Sequence, residues 1–279
     1  MKNRILILFL IVIIITGGCT EFIDFELNDE GYNRLVVDGL ITTDTCRHVV
    51  RLSQTLSYYA NEKSPPETEA DVTISDGINI FPLTETEPGI YQTEPDVYGQ
   101  VGKTYTLDIV LSNEKNYSAS CLLKAVPLID SVVPSPNYFN IFYDSYGYDL
   151  FFFGQEPQGK GDYYLWDIYI NDVLYNDTLR KTRFVDDQLV DGQYIHDFDI
   201  YFIEESQFTS DTSKIRVDML SIHKEYFNYM LFVMLETDWR GGMYDGPPAN
   251  VPTNTTNGAL GFFNASAISS YEFLLIKEK

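Results

Sequence analysis

Short runs of β-forming residues, each closed by a turn signal, recur along this chain and constrain its fold more than any other feature. The clearest turn signal is the pair Asp76-Gly77, which has alternating apolar residues on both sides. Asp-Gly tolerates the positive φ angles of a tight hairpin, so we expect Val72–Ile74 to face Ile78–Ile80 across the turn.

Five more segments in the first half have the same character as the two strands of this hairpin, and polar stretches with turn residues separate them. Seven short strands at this spacing predict a β-sandwich. In chain order the predicted strands are Arg34–Thr42, His48–Thr55, Asp71–Ser75, Ile78–Leu83, Gly89–Thr93, Thr104–Leu111 and Tyr117–Ala125.

A proline-bearing stretch, Val126–Pro136, interrupts the strand pattern and predicts a domain boundary. We therefore place a β domain at 34–126, a linker at 127–136 and a β-rich C-terminal domain at 137–279. The second domain includes a predicted strand at Leu260–Phe263 and one amphipathic helix near 223–237, where apolar residues recur at helical spacing. That apolar face is expected to pack against a sheet.

The first 18 residues have the organisation of an export signal. Lys2 and Arg4 precede the apolar run Ile5–Ile15, and the small residues Thr16–Gly18 lead directly to Cys19. The run is about half as long as the roughly 20 residues that a transmembrane helix needs. The pattern predicts a lipoprotein signal peptide at 1–18, acylation of Cys19 after cleavage and an acidic tether at 19–33. Acyl chains on Cys19 would then attach the protein to a membrane.

The formal net charge of −22 limits the classes of partner. Recognition of phosphates requires clustered Lys and Arg, so the composition argues against nucleic acid and against charge-driven binding to an anionic membrane. Loss of Lys2 and Arg4 with the leader makes the mature chain more acidic still.

The motifs of common enzymes are absent from the sequence. It has no Gly-x-Ser-x-Gly elbow, no His-Glu-x-x-His and no glycine loop for phosphate. We therefore predict no catalytic residues, no cofactor and no metal, and we keep a hydrolase with an unrecognised site as a lesser alternative. The best candidate metal is calcium, which Asp186, Asp187 and Asp191 could bind. The spacing of these residues is not that of an EF-hand, so a solvated acidic loop is the favoured interpretation.

Two cysteines remain beyond Cys19, and export would permit them to pair. Cys46 precedes the second predicted strand and Cys121 lies within the last strand of the first domain. The sequence leaves open whether they form a disulfide or stay as two free thiols.

The aromatic residues after the linker form the best candidate ligand loop. Aromatic faces stack on ligands, and tyrosine adds a hydrogen-bonding hydroxyl. Two alternatives stay open, an exposed binding loop and a cover for the interface between the domains. The residues concerned are Tyr138, Phe139, Phe142, Tyr143, Tyr146 and Tyr148.

The leader and five internal stretches together resemble a Bacteroidota family of exported lipoproteins catalogued as domain of unknown function 4249. Each stretch is weakly specific, and their order and spacing carry the resemblance over nearly the whole mature chain. The stretches are Leu35–Thr42, Val49–Ser53, Gly99–Leu107, Val126–Val132 and Asn257–Phe263.

The resemblance implies an immunoglobulin-like N-terminal domain, a second β-rich domain and genes often found beside TonB-dependent outer-membrane receptors. The expected function is that of a non-enzymatic binding or accessory component of such an uptake system, anchored in the outer membrane. The alternative is a stand-alone surface lipoprotein that binds a glycan or peptide. Ser131 and Thr178 lie in tripeptides similar to the O-glycosylation motif of this phylum. Whether the protein faces the periplasm or the cell surface stays open.

Overall fold

The computed structural model describes residues 33–56, 62–141, 143–238 and 250–277. The predicted signal peptide, Cys19 and the acidic tether up to residue 32 therefore lie outside the described residues. The strands are β1 (Leu35–Thr42), β2 (Val49–Gln54), β3 (Asp71–Ser75), β4 (Ile80–Glu87), β5 (Ile90–Gln92), β6 (Thr104–Val110), β7 (Asn116–Leu122), β8 (Ser131–Asn140), β9 (Ser145–Gln155), β10 (Tyr163–Ile170), β11 (Val173–Leu174), β12 (Arg183–Asp186), β13 (Tyr194–Glu204), β14 (Thr212–Ile222), β15 (Leu260–Ser266) and β16 (Ile268–Ile276).

The N-terminal part is an eight-stranded sheet that curls around one apolar core. Its strand order is β15-β1-β2-β5-β4-β3-β6-β7. The two ends of this path approach each other, since Lys124, just after β7, forms a parallel bridge with Ser266 of β15. Alternating positions of the strands point inward, and the core includes the fully buried Val37, Ile74 and Leu107. The predicted mostly β fold is confirmed, and this arrangement is compatible with the predicted sandwich.

The predicted hairpin at Asp76-Gly77 is present, but its register differs from the expected one. Ser75 of β3 pairs with Ile80 of β4, and Ile74 pairs with Phe81. The turn therefore spans four residues, in which Asp76 Oδ1 accepts hydrogen bonds from the backbone amides of residues 78 and 79. Because these bonds extend the turn, Ile78 is left 85% exposed and does not face β3.

Strand β15 belongs to the N-terminal sheet, not to the C-terminal domain in which the sequence placed it. It runs parallel to β1, with Val37 opposite Gly261 and Gly39 opposite Phe263. The physical reason is burial on both faces: Phe263 enters the N-terminal core, whereas Phe262 contacts the rings of Tyr226 and Tyr229 at 5.1 and 5.4 Å. The N-terminal part is thus completed by residues from the far end of the chain.

Two further sheets and one helix form the C-terminal part. One sheet has the order β11-β10-β14-β16 with β12 also paired to β10, and the other has the order β13-β9-β8. Apolar side chains from both sheets share a core that contains Trp166 and Phe152. The helix α1 (Lys224–Asp238) matches the predicted helix, and its Tyr226, Phe227 and Met230 pack against a separate cluster on β10 and β14. No helix in the described ranges is both long and apolar enough to cross a bilayer.

Candidate functional site

A cavity of about 530 Å³ lies in the C-terminal part and is the best candidate functional site. Strands β9, β10, β12, β13 and β14, the loop after β12 and the start of α1 all contribute to its wall. Alternate residues of a strand point to the same side, which places Tyr164 and Trp166 of β10 on the cavity face. The lining residues are Phe152, Glu156, Tyr164, Trp166, Val185, Asp186, Leu189, Val190, Ile195, Phe198, Met219 and Phe227.

Glu156 is the buried acid of this otherwise largely apolar wall. It follows β9 directly and is 2% exposed. The hydroxyl of Tyr164 donates a hydrogen bond of 2.8 Å to its Oε1. Burial, with a smaller contribution from the nearby Asp162 and Asp187, raises the pKa of Glu156, and the bond from Tyr164 lowers it; the net result is a pKa of about 7. Glu156 therefore exchanges its proton near neutral pH.

Glu156 is also part of a carboxylate cluster with Asp162 and Asp187. One oxygen from each of the three residues lies within 4.8 Å of the others. The backbone amide of Gly161 donates to both oxygens of Asp187 at 3.0 Å, and Lys124 Nζ lies 3.7 Å from Asp162 Oδ1. Burial raises the pKa of Asp162, against the opposing effect of Lys124. Hard divalent cations prefer oxygen ligands gathered in this way, so these three residues are the ones that could hold such an ion.

The predicted solvated acidic loop is only partly of that kind. Asp187 is 1% exposed and is held by Gly161, while Asp191 Oδ1 accepts a 2.7 Å hydrogen bond from the amide of Gly159. The prediction of a solvated loop is therefore wrong for Asp187. The physical reason is that its carboxylate satisfies the amide of a glycine turn, an interaction that residue spacing does not reveal.

Trp166 carries an unsatisfied polar atom in the same wall. The residue is 1% exposed, and its indole Nε1 has no hydrogen-bond partner among the described residues. Its ring packs edge-on against Phe152 with a centroid distance of 5.0 Å. A buried N–H without an acceptor is costly, so this wall is not completely satisfied by the protein's own groups.

The predicted ligand loop is a β-hairpin tip at 138–146, where β8 turns into β9. Tyr138 is 73% exposed and Tyr146 58%, whereas Tyr148 is buried against Phe208 with ring centroids 5.8 Å apart. Two contacts shape the tip: Tyr143 stacks on Phe202 at 5.0 Å, and Phe139 meets Tyr146 edge-on at 5.9 Å. The described tip residues are thus at the surface, whereas Tyr148 packs in the core of the C-terminal part. Phe142 lies outside the described residues.

A cleft of about 460 Å³ lies beside the hairpin tip. It brings three basic side chains together on a strongly acidic protein, and the exposed Tyr143 forms part of its rim. Its lining residues are Asn140, Tyr143, Arg180, Lys181, Thr182, Arg183, Asp199, Ile200, Tyr201 and Phe202. Lys181 is already engaged, since its Nζ lies 3.4 Å from Asp177 Oδ1 and 4.8 Å from the ring centroid of Tyr175.

Cys46 and Cys121 are free thiols in this structure, so the disulfide alternative is not formed. Cys46 is exposed, with Sγ 3.9 Å from Nδ1 of His48. Cys121 is buried in β7, with Sγ 3.6 Å from Oδ1 of Asn264 in β15. The physical reason is the placement of β15: it lies between β1 and β7, so the thiol of Cys121 faces this inserted strand.

The structure gives only the positions of the two predicted O-glycosylation sites, Ser131 and Thr178. Ser131 begins β8 and is half-buried, whereas Thr178 is exposed and precedes the 3₁₀ turn Leu179–Lys181. Their glycosylation stays a prediction, as does the lipidation of Cys19.

Sequence reasoning missed the cavity and its polar groups. In the sequence, Tyr164 and Trp166 look like ordinary core-facing residues of a strand. Nothing in the composition distinguishes Glu156 from the other Asp and Glu residues, which number 41 in all. The available signal was local: Glu156 follows the apolar run Leu150–Phe153 and precedes a proline, which is an unusual place for a fully buried acid.

The chain was compared with protein-family models and with curated proteins. None of the curated proteins matches this chain. The family model described as "Domain of unknown function (DUF4249)" matches residues 20–272, which include β1 to β15 and most of β16. The match spans nearly all of the chain beyond the predicted leader, so this protein belongs to that family of domains of unknown function.

Proposed function

We propose that this protein is a lipid-anchored, non-enzymatic binding component of a TonB-dependent uptake system in the outer membrane. The observation that carries its binding role is the cavity of about 530 Å³ in the C-terminal part. Its volume lies within the range of about 300–1,000 Å³ typical of small-molecule sites, and such sites combine apolar walls with a few polar groups.

The chemistry of the lining favours binding over catalysis. Its titratable side chains are Glu156, Tyr164 and Asp186. Tyr164 already donates to Glu156, and burial together with that bond raises the pKa of Tyr164 well above its usual range. A tyrosine held in this state is a poor nucleophile, since nucleophilic catalysis requires a group that an adjacent base activates. The simpler role for the buried Glu156 is to orient a bound ligand.

The proposed outer-membrane location and the proposed receptor partner are both inferred from the sequence. The leader predicts lipidation of Cys19, and the family resemblance implies TonB-dependent receptors as neighbours. A binding protein held beside such a receptor would recognise its substrate, cover it or deliver it.

The test is affinity purification of the tagged protein from gently solubilised native membranes, followed by mass spectrometry. We expect a TonB-dependent receptor in stoichiometric amount. The matched control is Cys19→Ala, which should move the protein into the soluble fraction and lose the receptor, because no acyl chain then holds it at the membrane. Recovery of the wild-type protein alone would count against the receptor role, and a Cys19→Ala protein still on the membrane would count against the anchor.

The second candidate function is that of a stand-alone surface protein that binds a glycan or peptide. The observation that favours it is the exposed hairpin tip beside the basic cleft, because tyrosine rings and guanidinium groups suit polar ligands. Binding to immobilised glycans or peptides by protein that purifies without a receptor would support it.

A further inference from the structure

We infer that the cavity selects an amphiphile with a positively charged amine, whose apolar tail fills the cavity and whose ammonium group lies against Glu156. This inference deepens the proposed binding function and rests on it. It specifies the ligand's charge, which neither the family nor the fold indicates.

The first step concerns the apolar tail. The cavity of about 530 Å³ lies between two sheets, and its largely apolar wall offers water few hydrogen bonds, so an apolar ligand suits it better than solvent does. Phe152, Trp166 and Phe198 contribute aromatic surface to its wall, and Ile195 and Met219 contribute aliphatic surface. An apolar occupant would gain about 25 cal/mol for each Å² of surface that it removes from water.

The second step concerns access. Leu189 and Val190 come from the loop after β12 and line the cavity, and Leu189 is 90% exposed. The cavity wall therefore includes a segment that reaches the surface, so a ligand can enter beside this loop without unfolding either sheet.

The third step concerns the sign of the head group's charge. Glu156 has Asp162 and Asp187 within 4.8 Å, and Lys124 Nζ approaches Asp162 at 3.7 Å. A buried carboxylate requires a partner of opposite charge, and one lysine at the side of three acids does not neutralise them. An ammonium group beside Glu156 would supply that charge, whereas a carboxylate head group would add a fourth negative charge. The site should therefore reject fatty acids and accept amines.

A fourth observation is independent of the acids. The Nε1 atom of Trp166 is buried in the cavity wall without a hydrogen-bond partner among the described residues. It points to an occupant of the cavity but not to the charge of that occupant, because an indole N–H and an ammonium group are both hydrogen-bond donors. It also makes Trp166 a fluorescent reporter of occupancy, once Trp239, the other tryptophan, is replaced by phenylalanine.

The experiment compares three probes that share an eight-carbon tail: octylamine, octanol and octanoate. Dissociation constants are measured by calorimetry and by Trp166 fluorescence in the Trp239→Phe protein, at pH 8 with EDTA so that no divalent cation occupies the carboxylate cluster. We expect octylamine to bind at least tenfold more tightly than octanoate and more tightly than octanol. Glu156→Gln should reduce the preference for octylamine over octanol at least fivefold. Glu205→Gln, the same change at an exposed position, should leave it intact.

The possible outcomes separate the two proposals. Equal binding of octylamine and octanol, or a preference for octanoate, would overturn the charge inference and leave the cavity as a binding site. An unchanged preference in Glu156→Gln would also overturn it. No binding of any probe would reject both the inference and the cavity as the site. Thermal unfolding of each variant verifies that a lost preference does not reflect a lost fold.

Discussion

At the scale of single residues, Glu156 combines two unfavourable conditions, burial and like-charged neighbours. The residue is 2% exposed, and burial with the nearby aspartates raises the pKa of Glu156 from 4.5 to about 7. An acid with a raised pKa costs no stability where both the folded and unfolded states hold its proton. As the pH rises, the unfolded state releases the proton first, so the free energy of unfolding falls between about pH 4.5 and 7 and then stays low.

Glu156→Gln should remove this pH-dependent cost. We expect the variant to be more stable than the wild type at pH 8, by up to about 3 kcal/mol, because each pKa unit corresponds to about 1.36 kcal/mol. Below pH 4 the difference should vanish. Urea unfolding of both proteins across this pH range measures it, and the difference between them isolates Glu156 from the other buried acids. A variant that is less stable than wild type at pH 8 would show that the carboxylate stabilises the fold.

At the scale of elements, the sequence predicted where strands lie better than how they pair. The segments Thr104–Leu111 and Tyr117–Ala125 were predicted as strands, and they contain all of β6 and all but the first residue of β7. The register of β3 with β4 was not predictable in this way, because the side chain of Asp76 lengthens the turn through its own hydrogen bonds. The pairing of β15 with β1 could not be predicted either, because two parallel strands separated by more than 200 residues share no local sequence signal such as a hairpin turn.

The close approach of β15 to β1 depends on Gly261. Its φ is +87°, and a Cβ at this position would lie 1.9 Å from the carbonyl oxygen of Val37. Gly261→Ala should therefore displace β15 and lower the free energy of unfolding by roughly 3 kcal/mol or more, since both a left-handed conformation and a backbone clash are imposed.

Gly102 offers a matched control for this prediction. Its φ of +86° is nearly the same, but a Cβ there would meet no atom within 4 Å. Gly102→Ala should thus cost only about 1–2 kcal/mol, the penalty of the backbone conformation alone. Urea unfolding of the two variants measures the difference. Equal losses would mean that β15 accommodates the added methyl group.

At the scale of the whole molecule, the two halves of the chain are less separate than the proline-bearing boundary suggested. Strand β15 returns from the far end of the chain to the first sheet, where its Phe263 and Ala265 are buried in the core. The strand that follows it, β16, belongs to a sheet of the C-terminal part. The cavity, by contrast, is lined only by residues of the C-terminal part, from Phe152 to Phe227. Sequence patterns report which residues prefer burial but not which surface buries them, and that is why the positions of most strands were predictable whereas the site was not. Strand β8 is an exception, because Ser131–Asn140 begins within the stretch 127–136 that was predicted to be a linker.

The returning strand gives a final prediction about folding. A fragment of residues 33–126 contains seven of the eight strands of the first sheet but lacks β15. Without Phe263 and Ala265 its core is open, and the edge of β1 has no partner. We expect the fragment to show no cooperative unfolding transition by circular dichroism and poorly dispersed amide resonances. A synthetic peptide of residues 250–267 should restore both signals, whereas the same peptide with Gly261→Ala should not. A fragment that unfolds cooperatively on its own would show that the first sheet is independent of the returning strand.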